Sequence, residues 1–572
     1  MRPPAGRLLA LLAGFVLAFL SVGGRLVVLQ LRESEEYEAL AHDQRVHRIE
    51  LPATRGSILD RAGRVLALSL PAAAVYADPQ LVRDPADTAS RLAPLLDIPS
   101  KRVRRSISAP GRFVYLARRV DLDVARRIDR LGLPGIGLLD ESKRHYPAGG
   151  LGSQVVGFVG VDDVGLAGLE LEYDELLAGR PGEMVVEQDP AGRPIPQGER
   201  KMEPPSAGAD LVLTIDRDLQ YQAQRALAAS VQANQAKGGS VVIMDPATGE
   251  ILAMATYPWF DANRFSEAAP EVIRNRAVTD VYEPGSVNKV ITAAGALEEG
   301  IIGLREVLRV PDHHLLGDKV FHDAHPHPVE RMTLADVIAQ SSNIGTIMVA
   351  DRLGKERLDA YLRRFGFGEE TKLRFPGEAD GILLDADDWW VTSMGTIPIG
   401  QGIAVTPLQM LSVYATVANE GVRVEPTLVR GHVEPGGRFV RSREPVRRRV
   451  VSVQTARILT RMLAHAVREG TGQAAEIPGY WVAGKTGTAR KPLEDALGYS
   501  DRYVASFLGF APARHPRVVV AAILDEPVTV YGGIAAAPLF REVTRFALAH
   551  LQVAPERPPR VPPVAERPCT GC

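Results

Sequence analysis

The chain has 572 residues, of which 45% are hydrophobic and 24% charged, and its formal net charge is −2. This length suggests two to four domains, and the composition is ordinary for a folded protein. The near-neutral charge gives no support for nucleic-acid binding. The two cysteines, Cys569 and Cys572, end a Pro/Arg-rich tail, so the folded body has no disulfide framework and no thiolate metal site.

An apolar segment opens the chain. Leu8 to Leu20 is apolar apart from Gly14, and the sequence as far as Leu31 can continue the same helix. We expect a single transmembrane anchor over residues 8–31. A cleaved signal peptide is the alternative, because Ser21 to Gly24 are small. Residues 1–7 carry only basic charge and an acidic cluster follows the anchor, which predicts a cytoplasmic N-terminus and an extracytoplasmic body.

Residues 32–205 are expected to form a β-rich pedestal with short strands, turns and a few helices. Arg55-Gly-Ser-Ile-Leu-Asp-Arg61 begins a strand that turns at Ala62-Gly63 into a second strand. The pattern from Gly165 to Leu177 predicts one helix that ends before Gly179. This region offers no nucleophile–base pair and no metal cluster, so support or interaction is its default role. Further helices are predicted over residues 84–96, 101–108 and 122–131.

Residues 206–551 alternate helical and strand patterns that imply an α+β fold, a sheet covered by helices. A hairpin is predicted from Ser240 to Ala255 around the turn Pro246-Ala-Thr-Gly249. Residues 552–572 form a Pro-rich tail without a core signal. Helices are predicted over 218–235, 334–353, 405–417 and 538–551, and strands over 211–216, 481–488, 503–511 and 518–524.

A helix start in the middle of this region carries a hydroxyl and an amine. Pro284-Gly285 is followed by Ser286, by Lys289 three positions later, and by an Ala-rich apolar run to Gly300. Side chains three apart share one helix face, and free N–H groups at a helix start favour developing negative charge. A serine nucleophile needs both. Alone the S-x-x-K pattern is weak, since about two matches arise by chance in a chain of this length, and Ser286 could be an ordinary helix cap.

Two further motifs give the first one weight. Ser341-Ser342-Asn343 follows a predicted helix, and Lys485-Thr486-Gly487-Thr488 lies on a predicted strand. In this order, on helix, loop and strand, the three match the S-x-x-K, S-D-N and K-T-G signature of class A β-lactamases and penicillin-binding proteins. Ser342 takes the place of the Asp in that signature.

The residue types suit acyl transfer. Lys289 can deprotonate Ser286 if burial and a second cation, Lys485, depress its pKa. Ser341 could relay the proton to the leaving amine, and Asn343 could bind the substrate amide. The Lys485 ammonium with the hydroxyls of Thr486 and Thr488 suits a substrate carboxylate. Backbone N–H groups of Ser286 and Thr488 could form an oxyanion hole.

From anchor to closing helix the chain resembles a class B penicillin-binding protein, a membrane-anchored peptidoglycan D,D-transpeptidase. The segment from Arg55 to Arg61 resembles the family's N-terminal box, and Gly168-Leu-Glu170 with Tyr173 resembles its pedestal motif. Glu283 before Pro-Gly-Ser makes the chain similar to division transpeptidases of the FtsI type. Later segments that resemble the family are Gly400-Gln-Gly402, Tyr531-Gly-Gly533 and Ala537-Pro-Leu-Phe540.

The resemblance implies a penicilloyl-serine transferase domain with an antiparallel sheet flanked by helices. It implies that Ser286 is acylated by stem peptides ending in D-Ala-D-Ala, that β-lactams inhibit by acylating the same serine, and that no cofactor or metal is used. It also implies a place at the division septum and divisome partners that include a polytopic glycosyltransferase. Catalytic roles fall on Ser286, Lys289, Ser341, Asn343 and Lys485, and substrate binding on Thr486, Gly487 and Thr488.

Several alternatives stay open from the sequence. The chain could be an elongation-type class B transpeptidase, a D,D-carboxypeptidase or a β-lactamase-like hydrolase. A class A β-lactamase needs a Glu that activates the deacylating water, and Glu378 is the only acid at a suitable distance after Asn343. A catalytically silent β-lactam sensor or scaffold is the alternative from a different functional class.

Overall fold

The computed structural model describes residues 5–31, 46–187, 195, 200–493 and 498–556. The chain divides into two compact units. One comprises residues 1–54 and 179–208, and the other comprises residues 55–178 and 209–572. The acidic cluster after the anchor and the cysteines of the tail lie outside the described residues.

The first unit contains a long apolar helix and a small sheet. The helix Ala5–Leu31 includes a 25-residue stretch, Gly6–Gln30, with a mean hydropathy of 2.1, which is long and apolar enough to cross a membrane. The sheet is antiparallel, with its strands in the order Val46–Leu51, Gly182–Glu187, Arg200–Glu203.

The second unit begins with pedestal strands that belong to a seven-stranded sheet, which three strands from residues 206–551 complete. The predicted strand–turn–strand is present, but the helix predicted from Gly165 to Leu177 starts three residues later and is divided at Tyr173. Gly165–Ala167 is a strand paired with Phe158–Val159, and it is followed by two short helices, Gly168–Glu172 and Asp174–Ala178. The sheet runs in the order Phe439–Arg441, Val429–Val433, Asp210–Leu213, Ile58–Leu59, Val65–Ala77, Val114–Asp121, with Ile136–His145 also on Val65–Ala77. The other helices are Pro85–Leu96, Ser100–Ile107, Leu122–Asp129 and Ser153–Val156.

A five-stranded antiparallel sheet forms the centre of the second half of this unit. Its order is Ile251–Tyr257, Gly238–Met244, Val518–Asp525, Tyr499–Ala511, Ala483–Pro492, so the strand that carries Lys485 lies at an edge. The strand Gly238–Met244 is buried along its whole length, as a central strand should be. Its hairpin partner is the predicted one.

Helices cover both faces of this sheet. Arg217–Ala233 and Gly532–His550 pack on one face through a continuous apolar core. A second core joins the other face to the helices Lys289–Glu298, Pro407–Ala418 and Val453–Arg468. The remaining helices are Pro270–Ile273, Arg276–Thr279, Leu334–Gln340, Asn343–Leu353, Lys355–Phe365 and Ser393–Thr396. The small strand pairs are Leu308–Val310 with Glu330–Met332, His313–Leu316 with Lys319–His322, and Val422–Val424 with Arg447–Arg449.

Candidate active site

Ser286 lies in a tight turn at the start of a buried helix. Residues Gly285–Asn288 form one 3-10 turn, and Lys289–Glu298 continue as an α-helix. Gly285 has φ +60°, a left-handed conformation that favours glycine. Its N–H donates to the carbonyl of Gly400 at 2.9 Å, and a Cβ on Gly400 would lie 2.2 Å from the Gly285 oxygen. The nucleophile turn and the Gly400–Gly402 loop are therefore in backbone contact.

Lys289 is fully buried on the first turn of this helix. Its Nζ donates to the Ser341 carbonyl at 2.6 Å, to Asn343 Oδ1 at 2.7 Å and to Ser341 Oγ at 3.4 Å. Burial, and then the positive charge of Lys485, lower the pKa of Lys289 well below its usual value, while Asp323 acts in the opposite direction. An amine with a depressed pKa is the base that the sequence motif requires.

The middle motif sits at a break between two helices. Leu334–Gln340 ends at Ser341, whose φ of 64° is left-handed, and Asn343–Leu353 begins two residues later. A left-handed serine is strained and persists where its surroundings hold it. Here the Lys289 amine donates to both the carbonyl and the hydroxyl of Ser341, so these contacts hold the strained serine beside Lys289.

The third motif lies on the edge strand Ala483–Pro492, against the Gly285–Asn288 turn. Lys485 Nζ donates to Thr486 Oγ1 at 3.1 Å and to Thr471 Oγ1 at 3.3 Å. Burial lowers the pKa of Lys485 to about 7. Thr488 Oγ1 accepts from Gly532 N–H at 3.1 Å, and a Cβ on Gly487 would lie 2.3 Å from Ser506 Oγ. The motif thus has one buried cation beside two fixed hydroxyls.

Two residues in this site were missed from the sequence. Asp323 binds Ser342 and the first N–H groups of the Asn343–Leu353 helix. Thr471 shares a 2.8 Å hydrogen bond with Thr486 in addition to its contact with Lys485. The available signals were the polar His/Pro-rich segment around Asp323 and the Gly-Thr-Gly turn at Thr471, and neither has a spacing that indicates its partner.

Glu283, three residues before the nucleophile, is also buried. Its Oε1 accepts from Gly402 N–H at 2.9 Å and from the Tyr499 hydroxyl at 3.1 Å. Burial raises the pKa of Glu283, against the effect of these two donors. This carboxyl therefore ties the Gly400–Gly402 loop and the strand Tyr499–Ala511 to the Ser286 turn.

One group of acidic and histidine side chains could offer ligands to a metal. Ligand atoms of Asp216, Asp218 and His550 lie within 4.8 Å of one another. Arg64 lies 2.8 Å from Asp218 and 3.8 Å from Asp216, and His550 Nε2 lies 3.0 Å from Asp216. A guanidinium already compensates these carboxylates, so we interpret the group as an ion-pair cluster.

The arrangement is built for acyl transfer to a serine. The turn with Ser286 lies between a buried amine of depressed pKa and an edge strand that presents a second cation and two hydroxyls. The amine can take a proton, the cation can bind a carboxylate, and the free strand edge can align an extended peptide.

Comparison with known proteins identifies the domains of the chain. Residues 239–545 match the penicillin binding protein transpeptidase domain, and residues 50–213 match the penicillin-binding protein dimerisation domain. The solved structure of penicillin binding protein 3 from Mycobacterium tuberculosis, complexed with aztreonam, superposes with a TM-score of 0.71 at 32% identity, covering 90% of this chain and 99% of that one. Fold and site thus define a penicillin-binding transpeptidase domain.

Curated relatives extend the match to the whole chain. It is 36% identical to the penicillin-binding protein PbpB of Mycolicibacterium smegmatis, over 97% of this chain and 91% of the relative. It is 35% identical to the peptidoglycan D,D-transpeptidase FtsI of Escherichia coli, over 96% of this chain and 92% of the relative. The chain belongs to the class B penicillin-binding protein family. Its helix Ala5–Leu31 is long and apolar enough to serve as a membrane anchor.

Proposed function

We propose that this chain is a serine-type peptidoglycan D,D-transpeptidase that cross-links stem peptides in septal cell-wall synthesis. The observation that carries the proposal is the joining of Lys289 to Ser341 and Asn343 beside the turn of Ser286. The names of the FtsI and PbpB relatives support the same activity.

In the first step, neutral Lys289 takes the hydroxyl proton of Ser286. Ser286 Oγ forms a bond to the carbonyl carbon of the penultimate D-Ala. The tetrahedral intermediate then collapses, the peptide bond to the terminal D-Ala breaks, and the leaving nitrogen receives a proton through Ser341. Backbone N–H groups of Ser286 and Thr488 stabilise the oxyanion, a contribution of about 2.7–4 kcal/mol for each donor.

The substrate is held while this happens. Lys485, Thr486 and Thr488 bind the terminal carboxylate, Gly487 lets the strand approach its neighbours, and Asn343 binds the donor amide. In the second step, the amine of a neighbouring stem peptide attacks the ester carbonyl and the bond to Ser286 Oγ breaks. The product is a new amide cross-link, and the proton of the amine returns to the serine. β-Lactams acylate the same serine and inhibit the enzyme.

The test is covalent labelling with a fluorescent penicillin. The wild-type chain should be labelled and Ser286→Ala should not, while Ser90→Ala on an exposed pedestal helix should label like the wild type. Labelling that survives Ser286→Ala would remove the nucleophile assignment. A purified protein that takes the label but forms no cross-link from stem peptides would be a silent β-lactam sensor or a hydrolase.

The β-lactamase alternative depends on Glu378, and its contacts argue against it. Its Oε1 accepts from the Thr371 N–H at 2.8 Å and from the Thr371 hydroxyl. Burial raises the pKa of Glu378, against the effect of the Thr371 donors. Thr371 holds this carboxyl within its own loop, so we expect that Glu378 does not activate a hydrolytic water and that deacylation is slow.

The topology, the domain limits and the partners complete the proposal. Residues 1–7 are cytoplasmic, 8–31 span the membrane, 32–205 form the pedestal, 206–551 form the transpeptidase domain, and 552–572 are a tail. A polytopic glycosyltransferase of the divisome would contact the anchor and pedestal. A fluorescent fusion should gather at midcell; spreading along the side wall would favour an elongation role instead.

A further inference from the structure

A buried carboxylate lies behind the middle motif. Asp323 directly follows the strand Lys319–His322, and its side chain is 8% exposed. Oδ2 accepts from Ser342 Oγ at 2.7 Å. Oδ1 accepts from the N–H of Asn343 and, at 3.1 Å, from that of Ile344. One acid therefore binds Ser342 and the two residues after it.

In the S-D-N signature of related enzymes the carboxylate belongs to the motif itself. This chain has Ser342 at that position, and the carboxylate comes from Asp323, 19 residues upstream. We propose that Asp323 is a positioning residue that completes the middle motif, holding Asn343 in place and setting the charge state of the catalytic amine. The proposal rests on the function proposed above.

The first part of this role is geometric. The Asn343 side chain is held at both ends, because its Oδ1 accepts from Lys289 at 2.7 Å and its Nδ2 donates to the His322 carbonyl at 3.0 Å. Asp323 fixes the Asn343 backbone at the same time. With the amide fixed, Asn343 offers one defined orientation to a substrate.

The second part is electrostatic. Lys289 faces Lys485 on the edge strand, Asp323 behind the helix break, and the neutral groups of Ser341 and Asn343. Asp323 is the carboxylate that raises the pKa of Lys289, against burial and against Lys485. The negative charge of Asp323 therefore limits how far the pKa of Lys289 falls below its usual value.

His327 is joined to this carboxylate. Its Nε2 lies 3.1 Å from Asp323 Oδ2, and its Nδ1 lies 2.7 Å from the Pro328 carbonyl. Both partners are acceptors, so the doubly protonated ring satisfies them together. The Pro328 carbonyl first, then Asp323 and Glu330, raise the pKa of His327, against burial. Asp312 lies near the same ring.

The experiment is the pH dependence of the acylation rate constant for a β-lactam, with full-length protein. Acylation needs neutral Lys289, so the acylation rate decreases at pH values below the pKa of Lys289. In Asp323→Asn the amine loses its stabilising charge, so we expect this acid limb to move to lower pH by about half a unit or more. The plateau rate should fall about tenfold as Asn343 loosens.

Three further variants separate charge from geometry. Ser342→Ala should lower the plateau but leave the acid limb in place, because Asp323 keeps its charge. His327→Gln should move the limb to higher pH, the opposite direction from Asp323→Asn, and it tests the proposal even if Asp323→Asn does not fold. Asp318→Asn, on the exposed tip of the same hairpin, should change neither quantity.

Acid limbs that do not move in Asp323→Asn and His327→Gln, with Ser286 still labelled, would overturn the role of Asp323 and leave the proposed function intact. Absence of Ser286 labelling in the wild-type chain would overturn both. Opposite shifts in the two variants would support the proposal, since a merely structural role predicts loss of rate without a change in pH profile.

Discussion

The pedestal and the catalytic cleft around Lys289 and Lys485 each bury two cations. The pedestal pairs its two cations with carboxylates, whereas the cleft surrounds its two with neutral oxygens. In the pedestal, Arg55 and Arg144 share Glu170, with Nε–O distances of 2.8 and 2.7 Å. Arg55 also contacts Asp174 at 2.6 Å. In the cleft, Lys289 and Lys485 have only neutral oxygens as hydrogen-bond acceptors among the described residues.

This difference in charge compensation distinguishes a structural role in the pedestal from a reactive role in the cleft. A buried cation that shares a carboxylate stays charged and holds its neighbours, and breaking such a pair is costly. A buried cation without one gives up its proton easily, as the lowered pKa values of Lys289 and Lys485 indicate. The pedestal network therefore maintains structure, while the cleft holds two amines whose lowered pKa values let them exchange protons readily.

The largest effect is expected from removing Lys289, the amine that we propose as the base. Lys289→Met should lower the rate of acylation by about 10²–10⁴-fold, because the Ser286 hydroxyl loses its base. Stopped-flow mixing with a chromogenic β-lactam measures this rate. Lys237→Met, at an exposed position, should keep the wild-type rate. A loss of less than tenfold would mean that another group deprotonates Ser286.

The pedestal should respond in stability. Glu170→Gln removes the carboxylate that Arg55 and Arg144 share and leaves Arg55 with Asp174, so the free energy of unfolding should fall by about 3–5 kcal/mol. Denaturant unfolding measures the change, and Asp123→Asn, whose side chain is 94% exposed, is the matched control. If folded Glu170→Gln also lost acylation in proportion, the two regions would not be separable in function.

The pH dependence of the free energy of unfolding should reveal the lowered pKa of the buried lysine Lys485. In the unfolded chain a lysine titrates near 10.4, whereas burial lowers the pKa of Lys485 to about 7. Between these values the unfolded state binds more protons, so this lysine makes stability rise with pH, by up to about 1.4 kcal/mol per pH unit. Unfolding at several pH values should show a smaller rise for Lys485→Met, and equal slopes would contradict the assignment.

The smallest effect is expected at Thr471. Thr471→Val removes the hydroxyl that joins Lys485 to Thr486, at a cost of about 1 kcal/mol. The acylation rate should fall about fivefold, which labelling kinetics can resolve. Thr460→Val is the control, since its hydroxyl donates to the Ala456 carbonyl of its own helix. An unchanged rate would limit the site to the three sequence motifs.

Local patterns predicted much of this molecule. The helix after Ser286, the hairpin around Pro246 and the strand of Lys485 follow from periodicity and turn chemistry, and the structure has all three. Periodicity also predicted helical patterns around residues 334–353, with Ser341-Ser342-Asn343 in a loop after the first helix, and the structure has this break. The left-handed conformation of Ser341 was not predicted. A single left-handed residue leaves no trace in a hydrophobic pattern, because tertiary contacts hold it there.

The misses have the same cause. The helix predicted from Gly165 begins only at Gly168 because Gly165–Ala167 pairs with Phe158–Val159, and the Gly165 N–H donates to Asp174. Asp323 and Thr471 reach the site through contacts across the fold. Neither side chain belongs to a motif of fixed spacing, so its role depends on the folded chain.

The contact between Gly400 and the nucleophile turn limits how this enzyme can vary. A methyl group at position 400 would meet the Gly285 oxygen at 2.2 Å, and no side chain lies between them to yield. Any side chain there must displace the backbone of Gly285, directly before the serine, or shift its own loop. Position 400 should therefore tolerate substitution as poorly as the nucleophile does. Variants selected for survival under β-lactams should keep glycine there.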